Sequence, residues 1–299
     1  MDLEHDLLPN TNFVTELDIK EKSRNFLKLR HDGQPNREVI THETIGHTSF
    51  SAVLSRVQYG IYESKPACLV ALDFSFRFRS KTLCRYSFAT IEVDFMAAID
   101  PKKPKLKSTN PSADPKVKNL APKEVYGMVK TVGERKYWDI SIPLMFESPV
   151  GAKVGMTGKG GMEKKAFEDN RAEIHGELLP DDSHPNGANA VTWDLTENEV
   201  QKDGIIRHFT GVVVVQHTEG QITWMNVCVK PSVKFSLDPR RLGQKTDPLL
   251  ELFQRSDDPV LLDGKTPKEG QIDLGCDDFS SKDFPWEKIL HIPTEYAVN

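Results

Sequence analysis

Apolar and polar residues alternate most regularly between Cys68 and Phe78, where Leu72, Phe74, Phe76 and Phe78 fall on one side and Asp73, Ser75 and Arg77, with Arg79 beyond them, on the other. A period of two marks a strand with one face on a core and the other in water. Tyr86–Phe95 repeats the pattern, setting Ala89, Ile91, Val93 and Phe95 against Thr90, Glu92 and Asp94, with Ser80–Arg85 as the connection. The two runs are expected to pair as a hairpin. Arg77 and Arg79 would then face Glu92 and Asp94 across the solvent side, each pair worth roughly 0.2–1 kcal/mol, which gives these charges a structural role and removes them from the candidates for chemistry.

Further strands are predicted at Thr48–Gly60, Val125–Val132, Trp138–Phe146, Glu173–Leu178 and Val191–Leu195. Ile205–Val215 and Ile222–Phe235 are apolar on both faces, as expected of central strands covered on two sides, with a hairpin turn at His217–Gln221 built around Gly220. Helical patterning is confined to short stretches at Ile19–Leu29, Met162–Arg171 and Pro248–Gln254. Runs of strands with few helices predict a mainly β protein of antiparallel, sandwich-like layers.

The pattern divides the chain into a polar N-terminal arm over 1–47, a first β segment over 48–99, a Pro/Lys-rich loop over 100–122 and a second β segment over 123–238, one domain with the first or separate from it. The loop rests on DPKKPKLKSTNPSADPKVKN, which has too few apolar residues to bury and prolines that break helix and strand alike. Residues 239–299 form an extended C-terminal tail with a short helix, anchored on the body by Phe279, Phe284, Trp286 and Tyr296.

With 299 residues the chain can bury a core without metals or disulfides. A formal net charge of −5 offers no general attraction to nucleic acid or anionic lipid, so no specific nucleic-acid partner is expected. The acidic start MDLEHDLLPNTNF lacks the basic and apolar regions of a secretory leader, and no stretch reaches the ~20 apolar residues of a membrane-spanning helix. The expected location is the cytoplasm, with the nucleus as a second address. Cys68, Cys84, Cys228 and Cys276 are widely spaced with no C-x-x-C pair, which favours free thiols over zinc or redox chemistry. Cys68 and Cys84 flank the expected hairpin, where packing is the preferred reading over a disulfide.

Three stretches, ALDFSFRFRSKTLCRYSFATIEVDF, PKVKNLAPKEVYG and VTWDLTENEVQKDGI followed by a VVVV strand, resemble a family of uncharacterised proteins from filamentous ascomycete fungi. The resemblance spans roughly residues 65–265. It implies a β-rich fold and a fungal, intracellular setting; its motifs are strand-and-turn signatures, and it carries over no activity and no functional residues.

Candidate chemistry is sparse. His42 and His47 in THETIGH miss the i, i+4 spacing of a zinc-protease helix and read as loop histidines. GMTGKGG has the strand-to-helix context of a phosphate loop, yet Lys153 stands where the first Gly belongs and Gly160 where a hydroxyl residue belongs. What survives is an anion contact at Lys159 and Gly160, set against a plain connection between strands. Lys102, Lys103, Lys105 and Lys107, with Lys116 and Lys118 beyond, read either as a solvated loop or as a docking or targeting patch; no aromatic residues interleave them to stack bases. Trp193 with Asp194, Glu197 and Asn198 sets acids beside an aromatic, and strand-end packing is preferred to acid–base work. His175, His208 and His217 lie on or beside strands without a nucleophile motif. No catalytic residue, metal site or cofactor is assigned.

Three functions compete. The first is a non-enzymatic interaction protein whose β layers and loops meet an unidentified protein partner. The second is a pocket between β layers that holds a small-molecule ligand, as a carrier or a biosynthetic enzyme without a local motif. The third is a membrane-acting β protein, because Tyr137–Lys153 alternates and then becomes Gly-rich, with Pro143 and Pro149 as interruptions of a ladder.

Overall fold

The computed structural model describes residues 29–31, 33–45, 48–78, 84–103, 111–127, 172–180, 187–198, 203–235, 257–270 and 273–291. The strands are β1 (Val39–Ile45), β2 (Thr48–Tyr62), β3 (Lys65–Phe78), β4 (Cys84–Ala97), β5 (Lys116–Ala121), β6 (Glu124–Tyr126), β7 (Glu173–Leu179), β8 (Ala190–Thr196), β9 (His208–Gln216), β10 (Thr223–Phe235) and β11 (Val260–Leu262). One sheet runs β1-β2-β3-β9-β5 and the other β11-β10-β4-β8-β7-β6. Every pairing within them is antiparallel. Both sheets contain strands drawn from 48–99 and from 123–238, and the only helical pieces among the described residues are 3-10 turns at Pro111–Ala113 and Trp286–Lys288.

The period-two faces of the two sheets meet in a single cluster. Leu72, Phe74 and Phe76 of β3, with Phe209 and Val213 of β9, pack with Ile91, Val93 and Phe95 of β4 and with Trp193 and Leu195 of β8. Phe74 stacks on Phe209 at 5.0 Å between centroids, and Phe76 meets Tyr86 edge-on at 5.5 Å. Side chains from two inner faces thus fill the space between layers, the arrangement that defines a sandwich.

The phenylalanines of β3 point inward as expected, but β3 and β4 are not a hairpin. They belong to opposite sheets and face each other across the core. Alternation fixes which face of a strand is buried and leaves its lateral neighbours open, and two one-sided strands are satisfied equally by apposition. Arg79 lies outside the described residues, and the other charges are placed differently from the expected lattice. Arg77 lies opposite Ser49, Thr210 Oγ1 donates to Asp73 at 2.6 Å, Lys230 Nζ meets Glu92 at 2.6 Å, and Asn226 Nδ2 donates to Asp94 at 3.4 Å. The Glu92 hydrogen bond, with the carboxylate's charge behind it, raises the Lys230 pKa.

His217–Gln221 turns as expected, with Gln221 N–H on Thr218 O at 2.9 Å and Gly220 at φ +68°, but it carries the chain from one sheet to the other and makes no hairpin. β9 is buried on both faces. β10 is so only at its start, since residues 226–231 are half-buried on both sides.

Two expected irregular segments contain strands. The N-terminal arm supplies β1, whose VITHETI lacks a clean alternation, and the Pro/Lys-rich loop supplies β5, where Val117 and Leu120 are buried around a bulge. Beyond the sheets, residues 273–291 cross the outer face of the first sheet, where Leu274, Phe279, Phe284 and Trp286 pack on Leu69, Val212 and Val214. This is the anchored tail predicted from its aromatics, and it explains why β3 and β9 are apolar on both sides. Gly60 permits it: a Cβ there would lie 2.1 Å from Asp277 O. Residues 29–38 are tied down near β11 by Leu29 N–H on Asp257, His31 N–H on Asp258 and Asn36 N–H on Leu261 O, with His31 edge-on to Trp224 at 4.8 Å. The expected strand at Trp138–Phe146, the part of Val125–Val132 beyond residue 127, the three helical stretches apart from Leu29, and the tail residue Tyr296 fall outside the described residues.

Candidate functional site

A tightly constrained local geometry surrounds the corner between β5 and β6. The chain leaves the first sheet at Ala121, passes Pro122 and enters the second sheet at Glu124. Trp193 of β8, fully buried, donates its indole Nε1–H to Pro122 O at 3.0 Å. Gly176 of β7 lies opposite Trp193, and a Cβ there would come within 2.4 Å of Pro122 O and 2.8 Å of both Leu120 Cδ1 and Trp193 Cδ1. A glycine inside a strand marks such a close backbone approach.

From this corner β6 pairs with β7 through Glu124↔His175, Val125↔Ile174 and Tyr126↔Glu173, with Val125 and Ile174 buried. The ladder extends past both ends of β6: Gly176 N–H bonds Lys123 O at 2.7 Å, and Gly127 N–H bonds Ala172 O at 2.7 Å. Gly127 and Ala172, the described residues on either side of 128–171, are therefore hydrogen-bonded neighbours. β6 is also the last strand of its sheet, so among the described residues its second edge has no strand partner within that sheet.

Next to this corner, Trp193, Asp194, Glu197 and Asn198 have structural employment. Asp194 accepts Thr90 Oγ1–H at 2.7 Å. Glu197 is buried and takes Arg85 Nε at 2.7 Å, Arg85 Nη2 at 3.3 Å and Gly204 N–H at 3.2 Å. Asn198 is buried as well.

The remaining candidates are dispersed. His42 stands exposed on β1 opposite Ser51, while His47 lies outside the described residues. His175 is exposed on β7, 3.9 Å from Glu177. Lys102 and Lys103 are exposed, with Lys103 Nζ 3.9 Å from Asp100, and Lys116 and Lys118 sit on β5. Lys105, Lys107, Lys159 and Gly160 are outside the described residues. Cys68, Cys228 and Cys276 are free thiols, and burial raises the Cys68 pKa far above that of an accessible thiol. Among the described residues no three His, Cys, Asp or Glu side chains are grouped to share a metal ion, and no helix is long and apolar enough to cross a membrane.

A narrow cleft, partly open to solvent, lies where β2, β9 and β10 approach 262–264; its walls include Tyr59, Cys68, Phe95, Val215, His217 and Thr223. Tyr59 OH accepts Gly264 N–H at 3.0 Å, and burial raises the phenol's pKa. His217 Nδ1 lies 2.7 Å from Thr218 O, so that nitrogen carries the proton; Nε2 is buried with no hydrogen-bond partner. Its free space is about 10 Å³, room for no more than a water bridging polar atoms and far below that of a small-molecule site.

Sequence reasoning passed over Pro122 and Gly176. The signal for Gly176 was present, as a glycine between Ile174 and Leu178 in a run of strand character. The partners it approaches were not readable, because they come from β5, the corner and β8.

No protein-family profile and no curated protein matches this chain. Among solved structures it is similar to the membrane-inserted form of the Clostridium perfringens NetB toxin, at 10% identity and a TM-score of 0.23, covering 66% of this chain and 83% of that one. A structure described as a pore forming protein is similar at 12% identity and a TM-score of 0.25, covering 76% and 86%. Likenesses this loose assign neither fold nor function to the chain.

Proposed function

We propose that this chain is a non-enzymatic, membrane-acting β protein that engages a bilayer through residues 128–171. The observation that carries the reading is the β6–β7 base: the segment departs at Gly127 and returns at Ala172 across a hydrogen bond, from the last strand of a sheet held by Trp193, Pro122 and Gly176. Growth of an antiparallel ladder outward from such a base needs no change in the sandwich.

The sequence between the two strands supports the same reading. Trp138, Ile140, Ile142, Leu144 and Phe146 alternate with Asp139, Ser141, Pro143 and Met145; after Glu147-Ser148-Pro149, the residues Val150, Ala152, Val154 and Met156 alternate with Gly151, Lys153, Gly155 and Thr157. Each run approaches the ~9–11 residues that a tilted strand needs to cross a bilayer's hydrocarbon. Apolar-out and polar-in alternation is the pattern of a strand between lipid and water. Pro149 falls between the runs, where a turn is wanted, and Pro143 is on the polar side.

Dye release from liposomes of phosphatidylcholine and phosphatidylserine tests the proposal. Release by the native chain is expected, with loss of release in Ile140→Asp and Leu144→Asp proteins whose unfolding midpoint is unchanged. A charge facing lipid at mid-depth costs roughly 2–4 kcal/mol for Arg or Lys and less for Asp. Absence of release at any protein-to-lipid ratio, or equal release by both variants, would overturn it and return the protein-partner reading to first place.

A further inference from the structure

The outer face of the first sheet carries a row of polar side chains set by strand register. His42 is opposite Ser51, Ser51 opposite Ser75, and Ser75 opposite His208. Arg77 follows Ser75 on the same side of β3, diagonal to His208, within reach of a long side chain. Arg207 precedes His208 and turns to the other side of the sheet, its guanidinium 4.4 Å from the centre of the core-facing Phe78 ring. His291 arrives from the C-terminal tail, where its carbonyl accepts Thr210 N–H at 3.0 Å on the edge of β9 that β5 no longer covers.

Arg77, His208 and His291 come from β3, from β9 and from the tail, and all three are cationic or can become so. Arg77, His208 and His291 are exposed. Asp73 is the carboxylate on the same face of β3, and Thr210 Oγ1 already donates to it at 2.6 Å. Amid the row, Ser75 Oγ is buried and has no hydrogen-bond partner in the protein. A buried hydroxyl without a partner carries a desolvation cost that an additional acceptor or donor would relieve. Burial, then Arg77, Arg207 and His291, lower the pKa of His208.

We propose that Ser75, Arg77 and His208, flanked by His291, form a binding site for a phosphate group. The guanidinium supplies a two-pronged donor to two oxygens, the imidazole N–H a third contact, and the serine hydroxyl a fourth. The site lies on the described sandwich and does not rest on the bilayer reading of residues 128–171. The phosphate comes either from a lipid headgroup or from a free phosphate.

The experiment follows the His208 imidazole by NMR while inorganic phosphate is added to the full chain at constant ionic strength, with chloride as the control. A saturable shift with phosphate alone is expected, together with a rise in the His208 pKa on binding. Arg77→Gln and Ser75→Ala should each weaken binding, the former about tenfold, since a charge-assisted contact is lost, while Arg77→Lys retains part of the affinity. Competition by phosphatidic acid vesicles, with none by phosphatidylcholine alone, would identify the headgroup as the source; phosphate binding without that competition would identify a free phosphate, and either result upholds the site. A shift that does not saturate, a shift matched by chloride, or undiminished binding in folded Arg77→Gln would overturn it.

Discussion

Trp193 and Pro122 are joined by a buried hydrogen bond, indole Nε1–H to carbonyl O at 3.0 Å, that ties the middle of β8 to the corner where the chain passes between sheets. The same indole packs on Phe74 and Phe209 of the opposite layer, at 6.0 and 6.3 Å between centroids. One side chain therefore fills the core and fixes where β6 begins.

Trp193→Phe keeps an aromatic ring but leaves the Pro122 carbonyl without its donor in a dry setting. The expected loss is about 1–3 kcal/mol for the unsatisfied group, with a further contribution from the smaller ring. Urea unfolding of the two proteins measures it; a difference below about 0.5 kcal/mol, the lower end for a single hydrogen bond, would show that the bond contributes nothing to stability.

Gly176→Ala places a methyl against Pro122 O, Leu120 and Trp193. Backbone on one side and a buried indole on the other cannot both retreat, so a destabilisation of about 1–3 kcal/mol is expected, the range for overpacking. Hydrogen exchange at Val125 and Ile174 should accelerate more than at Val93, because the strain enters at the β6–β7 base.

Arg85 and Glu197 form a bidentate pair at the start of β4, with side-chain exposures of 11% and 3%. Arg85→Met leaves a buried carboxylate with Gly204 N–H as a remaining donor, a change expected to cost about 3 kcal/mol, the lower part of the range for breaking buried pairs because Arg85 reaches solvent. Arg85→Met combined with Glu197→Leu should cost less than Arg85→Met alone. A double variant as unstable as the sum of its parts would show that the pair is uncoupled.

His208 has a folded-state pKa below its ordinary 6.5, through burial and through Arg77, Arg207 and His291. The unfolded chain thus takes up this proton first as pH falls. Stability linked to the residue is full above its ordinary pKa, declines as pH drops below that value, and levels off beneath the lowered folded pKa. Arg77→Gln removes the largest of the neighbouring charge effects and should move the His208 pKa upward and shrink that decline, as read by NMR titration and by denaturation across the same window.

The alternation of Phe74, Phe76 and Phe78 was enough to place the inner face of β3, and the aromatics Phe279, Phe284 and Trp286 were enough to anchor the tail. Lateral order was hidden: nothing in Asp73 or Glu92 says that one will meet Thr210 and the other Lys230, because a period of two names a face and not a neighbour. β1 and β5 escaped notice for a related reason. Val39–Ile45 and Lys116–Ala121 are held by pairing with β2 and β9, and their own apolar patterns are too short to announce a strand. The cationic row around His208 was unreadable for the same cause, since Ser75, His208 and His291 meet only after the sheet order is known.

The membrane-acting account is tested most directly by the environment of single residues between Trp138 and Ile142. Cysteine introduced at positions 138, 139, 140, 141 and 142, in a chain whose four native cysteines are replaced by alanine, would carry an environment-sensitive fluorophore. After addition of phosphatidylcholine–phosphatidylserine liposomes, the account predicts a blue-shifted, brighter signal at 138, 140 and 142 and a water-like signal at 139 and 141. A uniform response along all five positions, or none, would contradict it.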